Sequence, residues 1–150
     1  MDDVAFLLTE RACERLVYRY ARHLDAYDYD RFMELWADDA TWNMLGNEMK
    51  GIAAIRAGLD ARPNSLLSRH LITNIIVDVE TADTASSHCY TLSFRVPDAR
   101  GQEPGPLEPP TFLIEYRDRF VRHPSRGWLF ARRDISTPLA RDIASISEGR

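Results

Sequence analysis

The sequence predicts an α+β domain in which a strongly curved antiparallel sheet wraps, as a cone, around three N-terminal helices. Helical periodicity is confined to the first 61 residues, and alternating, β-rich segments follow it. Short turns separate most of those segments, which favours antiparallel hairpins. The 150 residues are 45% hydrophobic and 28% charged, which is enough for one domain, residues 1–150, with a core of its own.

The first helix is predicted from apolar residues that recur every three or four positions and ends near residues 25–28. They are Ala12, Cys13, Leu16, Val17, Tyr20, Ala21 and Leu24. The preceding run VAFLL is either part of this helix or a separate helical turn, with Asp2 or Asp3 as its cap. A second helix is predicted from about Tyr29 to Trp36.

A turn at Asp38 and Asp39 is expected after the second helix, and then a short strand, ATWNML, which Gly46 stops. The third helix runs from Gly51 to about Ala61. Four long strands follow, at Ser68–Glu80, Thr84–Val96, Thr111–Arg122 and Trp128–Ser136. A long loop with five prolines joins the second of these to the third. Pro138 ends the last strand, and a polar surface arm is expected after it.

Composition argues against several classes of partner. The formal net charge of -4 and the scattered basic residues argue against a nucleic-acid partner. No run approaches the roughly 20 apolar residues of a membrane span, and the acidic start is unlike a signal peptide. Two cysteines, Cys13 and Cys89, indicate reduced thiols and a cytoplasmic protein. The four histidines lack metal-binding spacing and no nucleotide fingerprint occurs, so neither a metal nor a cofactor is expected.

Asp25 and His70 form the pair of residue types best suited to chemistry. An imidazole takes and returns a proton near neutral pH, and a carboxylate on its other nitrogen fixes its tautomer. The alternative is that Asp25 merely ends the first helix and His70 is an edge histidine. On the strand of His70 the odd positions are the more apolar, so the even positions are expected to be partly wet or to line the pocket near His70. Asn74, an even position, would then orient a carbonyl or face solvent.

Other side chains are candidates for the wall of a pocket inside the cone. Arg132 and Arg133 are neighbours on the last strand, so one of them must point inward; it would polarise a substrate oxygen or form a salt bridge. Cys89 faces either the core or the pocket. The aromatic candidates for an apolar wall are Tyr20, Tyr27, Trp36, Trp42 and Phe94.

Three stretches carry a resemblance to a known family. YRYARHLDAYDYDRFMELWADDATW, SRHLITNIIVDVETADTASSHCYTLSF and GWLFARRDIS resemble the SnoaL-like family of the nuclear-transport-factor-two-like superfamily, over about Leu7 to Ser136. Scytalone dehydratases, bile-acid dehydratases and ketosteroid isomerases share this cone. The dehydratases place an Asp at the end of the first long helix and a His at the start of the first long strand. The resemblance therefore implies that Asp25 and His70 are catalytic.

The resemblance also has departures. The second histidine of scytalone dehydratases falls near Cys89 here, with His88 and Tyr90 beside it. The pocket tyrosines of those enzymes have only Tyr20, Tyr27, Trp42 and Tyr90 as substitutes. Arg133 best matches a family arginine in the final strand.

Three functions are compatible with these features. The first is a cofactor-independent lyase or isomerase, such as a dehydratase, isomerase or cyclase, acting on a small hydrophobic cyclic or aromatic molecule through an Asp–His proton shuttle. The second is a non-catalytic partner, like the small subunit of ring-hydroxylating dioxygenases. The third is a ligand-binding domain without chemistry. Dehydration, isomerisation and cyclisation share the same shuttle, so the sequence does not separate them and does not name the substrate.

A homodimer or homotrimer through the outer face of the sheet is also predicted. The strands from Thr84 and Thr111 carry apolar residues at both parities, more than single-sided burial explains. These residues are Leu92, Phe94, Phe112, Ile114, Tyr116 and Phe120 against Cys89, Leu113 and Val121.

Overall fold

The computed structural model describes residues 2–142 and confirms the α+β class. Its elements in chain order are α1 Asp3–Ala26, α2 Tyr29–Met33, β1 Trp36–Met44, β2 Asn47–Lys50, α3 Gly51–Asp60, β3 Leu67–Val79, β4 Thr84–Val96, β5 Phe112–His123 and β6 Gly127–Ala140. The strands form one curved, unclosed sheet in the order β2-β1-β6-β5-β4-β3. β6 continues past Pro138, and the predicted surface arm lies almost wholly outside the described residues.

The helix α1 is continuous from Asp3, so the VAFLL run is its first part and not a separate turn. Asp2 is the N-cap, and its side chain accepts a hydrogen bond from the backbone N–H of Ala5 at 2.7 Å. The helix ends where Tyr27 adopts the left-handed region with a φ of 58°. In residues 2–142, no helix is both long and apolar enough to cross a membrane.

The second helix is shorter than predicted, because Trp36 begins a strand. β1 pairs in parallel with β6, with Trp36 opposite Phe130, and the Phe130 N–H donates to the carbonyl of Leu35 at 2.8 Å. The expected turn at Asp38 and Asp39 is therefore part of β1. This pairing also corrects the expectation of a wholly antiparallel sheet. It joins segments about 90 residues apart, so local periodicity could not indicate it.

A sixth strand, β2, was not predicted. Leu45 and Gly46 both have positive φ, 55° and 93°, and they turn the chain back on itself between Met44 and Asn47. Two positive φ values are typical of a type I′ hairpin turn. Leu45 and Gly46 therefore form the hairpin turn between β1 and β2, and the sheet continues past Gly46.

A β-bulge reverses the two faces of β3. The register with β4 shifts between Thr73 and Ile76, where Asn74 has a φ of 53°. Before the bulge, the even positions point into the cone; after it, odd positions such as Val77 do, and Ile76 is 65% exposed. The expectation of one alternating face along the strand is therefore wrong beyond residue 73.

The core lies between α1 and the concave face of the sheet and is largely aromatic. The ring of Tyr20 lies within 4.8 to 6.2 Å, centroid to centroid, of the rings of Phe32, Trp36, Trp42, Tyr116 and Phe130. Such spacings are typical of tilted and edge-to-face aromatic packing. Tyr20 thus ties the helix to four other elements at once.

An ion pair lies at the centre of this aromatic cluster. Arg133 donates from Nε and Nη2 to the two carboxylate oxygens of Asp118, both at 2.7 Å, and both side chains are fully buried. Ser87 also donates to Asp118 at 3.1 Å. The Arg133 guanidinium lies about 4 Å from the ring centroids of Tyr20 and Tyr116. Removing one partner would leave the other charge buried and uncompensated.

We expect Asp118→Asn to destabilise the fold by about 3–5 kcal/mol, because it leaves the Arg133 charge without a counter-ion. Urea denaturation followed by circular dichroism measures this free energy of unfolding. Asp134→Asn is the matched control, since it removes a carboxylate from the half-exposed partner Arg132 and should cost far less. Equal losses in the two variants would contradict this prediction.

The convex face of the sheet keeps apolar side chains in solvent. Leu71, Ile76 and Tyr90 are exposed there, whereas the odd-numbered Cys89 points inward. Self-association through this face stays a prediction. Static light scattering at micromolar concentration should give the mass of two or three chains, and Ile76→Glu should lower it. A monomeric wild type would contradict this expectation.

Candidate active site

The Asp25 carboxylate connects the end of α1 to the start of β3. Its Oδ1 accepts from the Ser68 hydroxyl at 2.7 Å and lies 2.7 Å from Nδ1 of His70, and its Oδ2 accepts from the His70 backbone N–H at 2.8 Å. A helix C-terminus disfavours a negative charge, so these contacts are not helix capping. Asp25 is instead held in place for β3.

These contacts assign the protonation pattern of the pair. Burial disfavours the Asp25 carboxylate, but the hydrogen bonds from His70 and Ser68 outweigh it and lower the pKa of Asp25 below its ordinary value. As an ionised acceptor, Asp25 binds His70 through an Nδ1–H, which leaves the lone pair on Nε2. His70 is therefore arranged to accept a proton at Nε2.

Ser93 lies directly opposite His70 in the register of β3 and β4. Its hydroxyl oxygen is 3.3 Å from His70 Nε2, the remaining ring nitrogen. Ser93 can thus donate to Nε2 while the site is empty of substrate. The imidazole ring is held from both sides, and its side chain is only 2% exposed.

Arg62 supports the pair from behind. It donates to the Leu24 carbonyl at 3.0 Å and to the Ser68 hydroxyl, which in turn donates to Asp25. Its guanidinium lies 4.4 Å from the centroid of the Tyr27 ring. The positive charge of Arg62 therefore reaches Asp25 through one hydroxyl group.

Tyr27 does not form the predicted pocket wall. Its hydroxyl oxygen lies 2.8 and 2.7 Å from the carbonyl oxygens of Pro63 and Leu66, and its ring contacts Arg62 and Arg100. The left-handed backbone at Tyr27 directs the side chain toward the loop between α3 and β3 and away from the cavity. Tyr27 fixes the loop that carries Arg62.

A cavity of about 410 Å³ opens beside the pair. Its lining is mainly aromatic and aliphatic, with a few polar side chains, a composition typical of small-molecule sites. The lining residues include Tyr20, Trp42, Arg62, His70, Arg95, Phe112, Ile114 and Tyr116. Of the residues singled out from sequence, the structure brings Tyr20, Trp42 and His70 to this cavity, with Asp25 directly behind His70.

Three predicted pocket residues belong to the core instead. Trp36 and Cys89 are buried away from the cavity lining, and burial raises the pKa of the Cys89 thiol to about 11. Arg133 points inward, as one of the two arginines had to, but its Nε and Nη2 both donate to Asp118 and it does not line the cavity. A guanidinium so engaged is a structural ion pair.

Asn74 and Phe94 lie outside the cavity altogether. Asn74 is exposed at the bulge of β3. Phe94 is an even position of β4, and it lines a second, more open cavity of about 390 Å³ with Leu67, Leu71 and Arg95. Tyr90, the suggested substitute for a pocket tyrosine, is exposed on the convex face of the sheet.

Sequence reasoning missed four polar residues around the pair: Arg62, Ser68, Ser93 and Arg95. A signal existed for three of them. Ser68 shares the inward parity of His70, and Ser93 and Arg95 share the inward parity of Cys89. Arg62 lies in a loop, where no periodicity applies. Across the described stretch, no group of three His, Cys, Asp or Glu side chains is placed to hold a metal ion.

The model of the SnoaL-like domain family matches residues 5–134. No curated protein matches the chain. Among solved structures, the chain is similar to a proposed scytalone dehydratase from Novosphingobium aromaticivorans, with a TM-score of 0.80 and 20% identity over 94% of this chain and 91% of that one.

Two further structures show the same fold. One is an NTF2-like protein with a cystatin-like fold from Novosphingobium aromaticivorans, with a TM-score of 0.74 and 28% identity over 94% of this chain and 89% of that one. The other is the hexachlorocyclohexane dehydrochlorinase LinA-type3 from Novosphingobium barchaimii, with a TM-score of 0.76 and 17% identity over 95% of both chains.

The lowered pKa of Asp25 gives stability a defined pH dependence. Its ionised form stabilises the fold fully above its unfolded pKa of about 3.9, and that contribution is lost as pH falls through the lower folded value. We expect wild type to exceed Asp25→Asn in unfolding free energy at pH 6, and the difference to shrink below about pH 4. Urea titrations between pH 2.5 and 7 measure it; a difference constant with pH would contradict the assignment.

Proposed function

We propose that this chain, which belongs to the SnoaL-like domain family, is a cofactor-independent lyase or isomerase acting on a small cyclic or aromatic carbonyl compound. One observation carries the proposal: Asp25 Oδ1 lies 2.7 Å from Nδ1 of His70, and His70 lies in the wall of a largely apolar cavity. A general base must be held in one tautomer, which Asp25 supplies, and must reach its substrate, for which the Ser93 hydroxyl would have to release Nε2.

In this proposal His70 transfers the proton and Asp25 orients His70. Nε2 of His70 removes a proton from the carbon beside the carbonyl, and the electron pair of that C–H bond forms the new double bond. In a dehydration the C–O bond then breaks, and the imidazolium returns the proton to the departing hydroxyl, which leaves as water. In an isomerisation it returns the proton to a different carbon. Asp25 holds the tautomer and stabilises the imidazolium.

The cavity favours a ring-shaped substrate. Its volume of about 410 Å³ is within the usual range for small-molecule sites, and the rings of Tyr20, Trp42, Phe112 and Tyr116 contribute to its wall. Aromatic walls pack well against flat or cyclic ligands. They also exclude water from the reacting carbon, which keeps the base from being solvated.

Two structural relatives support the class of reaction. One is named as a dehydratase and the other as a dehydrochlorinase, and both names denote eliminations. A non-catalytic subunit, or a domain that only binds its ligand, would not need a histidine oriented by a buried carboxylate. Those two alternatives predict that no turnover depends on His70.

The test is a turnover assay with cyclic β-hydroxyketones and β,γ-unsaturated ketones, whose conjugated products absorb in the near ultraviolet. Exchange of the α-protons with deuterated water, followed by NMR, detects proton removal even where no product forms. We expect His70→Ala to lower either rate at least about a hundredfold, the usual contribution of general acid–base catalysis. Asp25→Asn should also lower it.

His88→Gln is the matched control, because His88 pairs with Glu115 on the convex face of the sheet. It should keep the wild-type rate. Full activity in His70→Ala, or an equal loss in His88→Gln, would contradict the proposed role of His70.

A further inference from the structure

Within residues 2–142, Arg95 is a cation without a counter-ion. It is an inward-facing residue of β4 that lines the cavity, and its guanidinium carbon lies 5.2 Å from the centroid of the Phe112 ring. Its Nε is buried and has no hydrogen-bond partner. Throughout residues 2–142, no carboxylate lies within ion-pair distance of it. Arg133, by contrast, has Asp118 as its counter-ion.

The charge of the cavity wall is positive as a whole. Arg62 and Arg95 both line it, and its lining residues in the described part of the chain include no Asp or Glu. Asp25 lies behind His70, with both oxygens already hydrogen bonded. Burial, together with the like charge of Arg62, lowers the pKa of Arg95. An unpaired cation that is half-buried is less favourable than one in water unless something else neutralises it.

We propose that the ligand of this cavity is an organic anion, a ring compound that carries a carboxylate, and that Arg95 binds this carboxylate. The proposal rests on the proposed function, because it names the substrate class of the same cavity. A guanidinium presents two parallel N–H donors that match a carboxylate, and such charge-assisted pairs are roughly twice as strong as neutral hydrogen bonds. The two Nη groups of Arg95 are not among the buried atoms and make no hydrogen bond within residues 2–142, so they can meet a carboxylate in the cavity.

The register of the sheet places this anion site near the proton-transfer residue. Ser93, opposite His70, and Arg95 are successive inward residues of β4, and such residues are roughly 7 Å apart along a strand. A carboxylate held by Arg95 would therefore place the ring that carries it on the side of the cavity where His70 lies. Arg95 acts as a binding and positioning residue, and His70 moves the proton.

The test compares two probes of the same shape, 2-naphthoate and the neutral 2-naphthamide, by isothermal titration calorimetry. Wild type should bind the carboxylate at least about tenfold more tightly than the amide, as a charge-assisted pair implies. Arg95→Gln should lose that preference. Arg69→Gln is the matched control, since Arg69 is exposed on the neighbouring strand, and it should keep the preference.

His70→Ala separates this inference from the proposed function. It should keep the preference for the carboxylate even though turnover is lost. If the proposed function fails and wild type still prefers naphthoate through Arg95, the anion site stands. Equal binding of both probes by wild type, or a preference that persists in Arg95→Gln, would overturn it.

Stability gives a second readout that a merely structural arginine would not produce. Because Arg95→Gln removes an unpaired, half-buried charge, it should melt at the same temperature as wild type or higher when no ligand is present. Naphthoate should raise the melting temperature of wild type but not of the variant. A variant that melts well below wild type would show that Arg95 holds the fold together, and would overturn the assignment.

Discussion

The contact between the Asp25 carboxylate and the first residues of β3 is the constraint on which the site depends. Asp25 and His70 are 45 residues apart in the chain, and three hydrogen bonds to one carboxylate join the helix end to the strand start. Two of these bonds hold His70 by both its backbone and its ring. The tautomer of the imidazole and the position of β3 against α1 are therefore set by the same group.

Several sets of contacts between elements of the fold position the site. The aromatic core around Tyr20 seats α1 in the curve of the sheet, and Tyr27 and Arg62 hold the loop that leads into β3. Each of these sets consists of polar or aromatic contacts between elements that are distant in sequence. The proton-accepting nitrogen of His70 is thus positioned by groups on other elements, which keeps a base on a strand rigid.

Local pattern predicted those parts of the structure that local interactions determine. The bounds of β4 were predicted residue for residue, because alternation and the turn at its start are local signals. The placement of Asp25 beside His70 followed from the family resemblance. Trp36 was assigned to a helix because its parallel partner, Phe130, is far along the chain. The ion pair between Arg133 and Asp118 depends on the register of two strands, which periodicity does not predict. Arg95 belongs to no recognisable motif, so nothing in the sequence gave a reason to place it in the site.

The bulge at Asn74 divides β3 into a segment that carries the candidate base and a segment that packs against the core. The extra residue lets Ser68 and His70 on one side of the bulge and Val77 on the other all point inward, although their positions have opposite parity. Without it, one segment would have to face solvent. β3 therefore supplies the base with its first half and closes the core with its second half, as two strands joined end to end would.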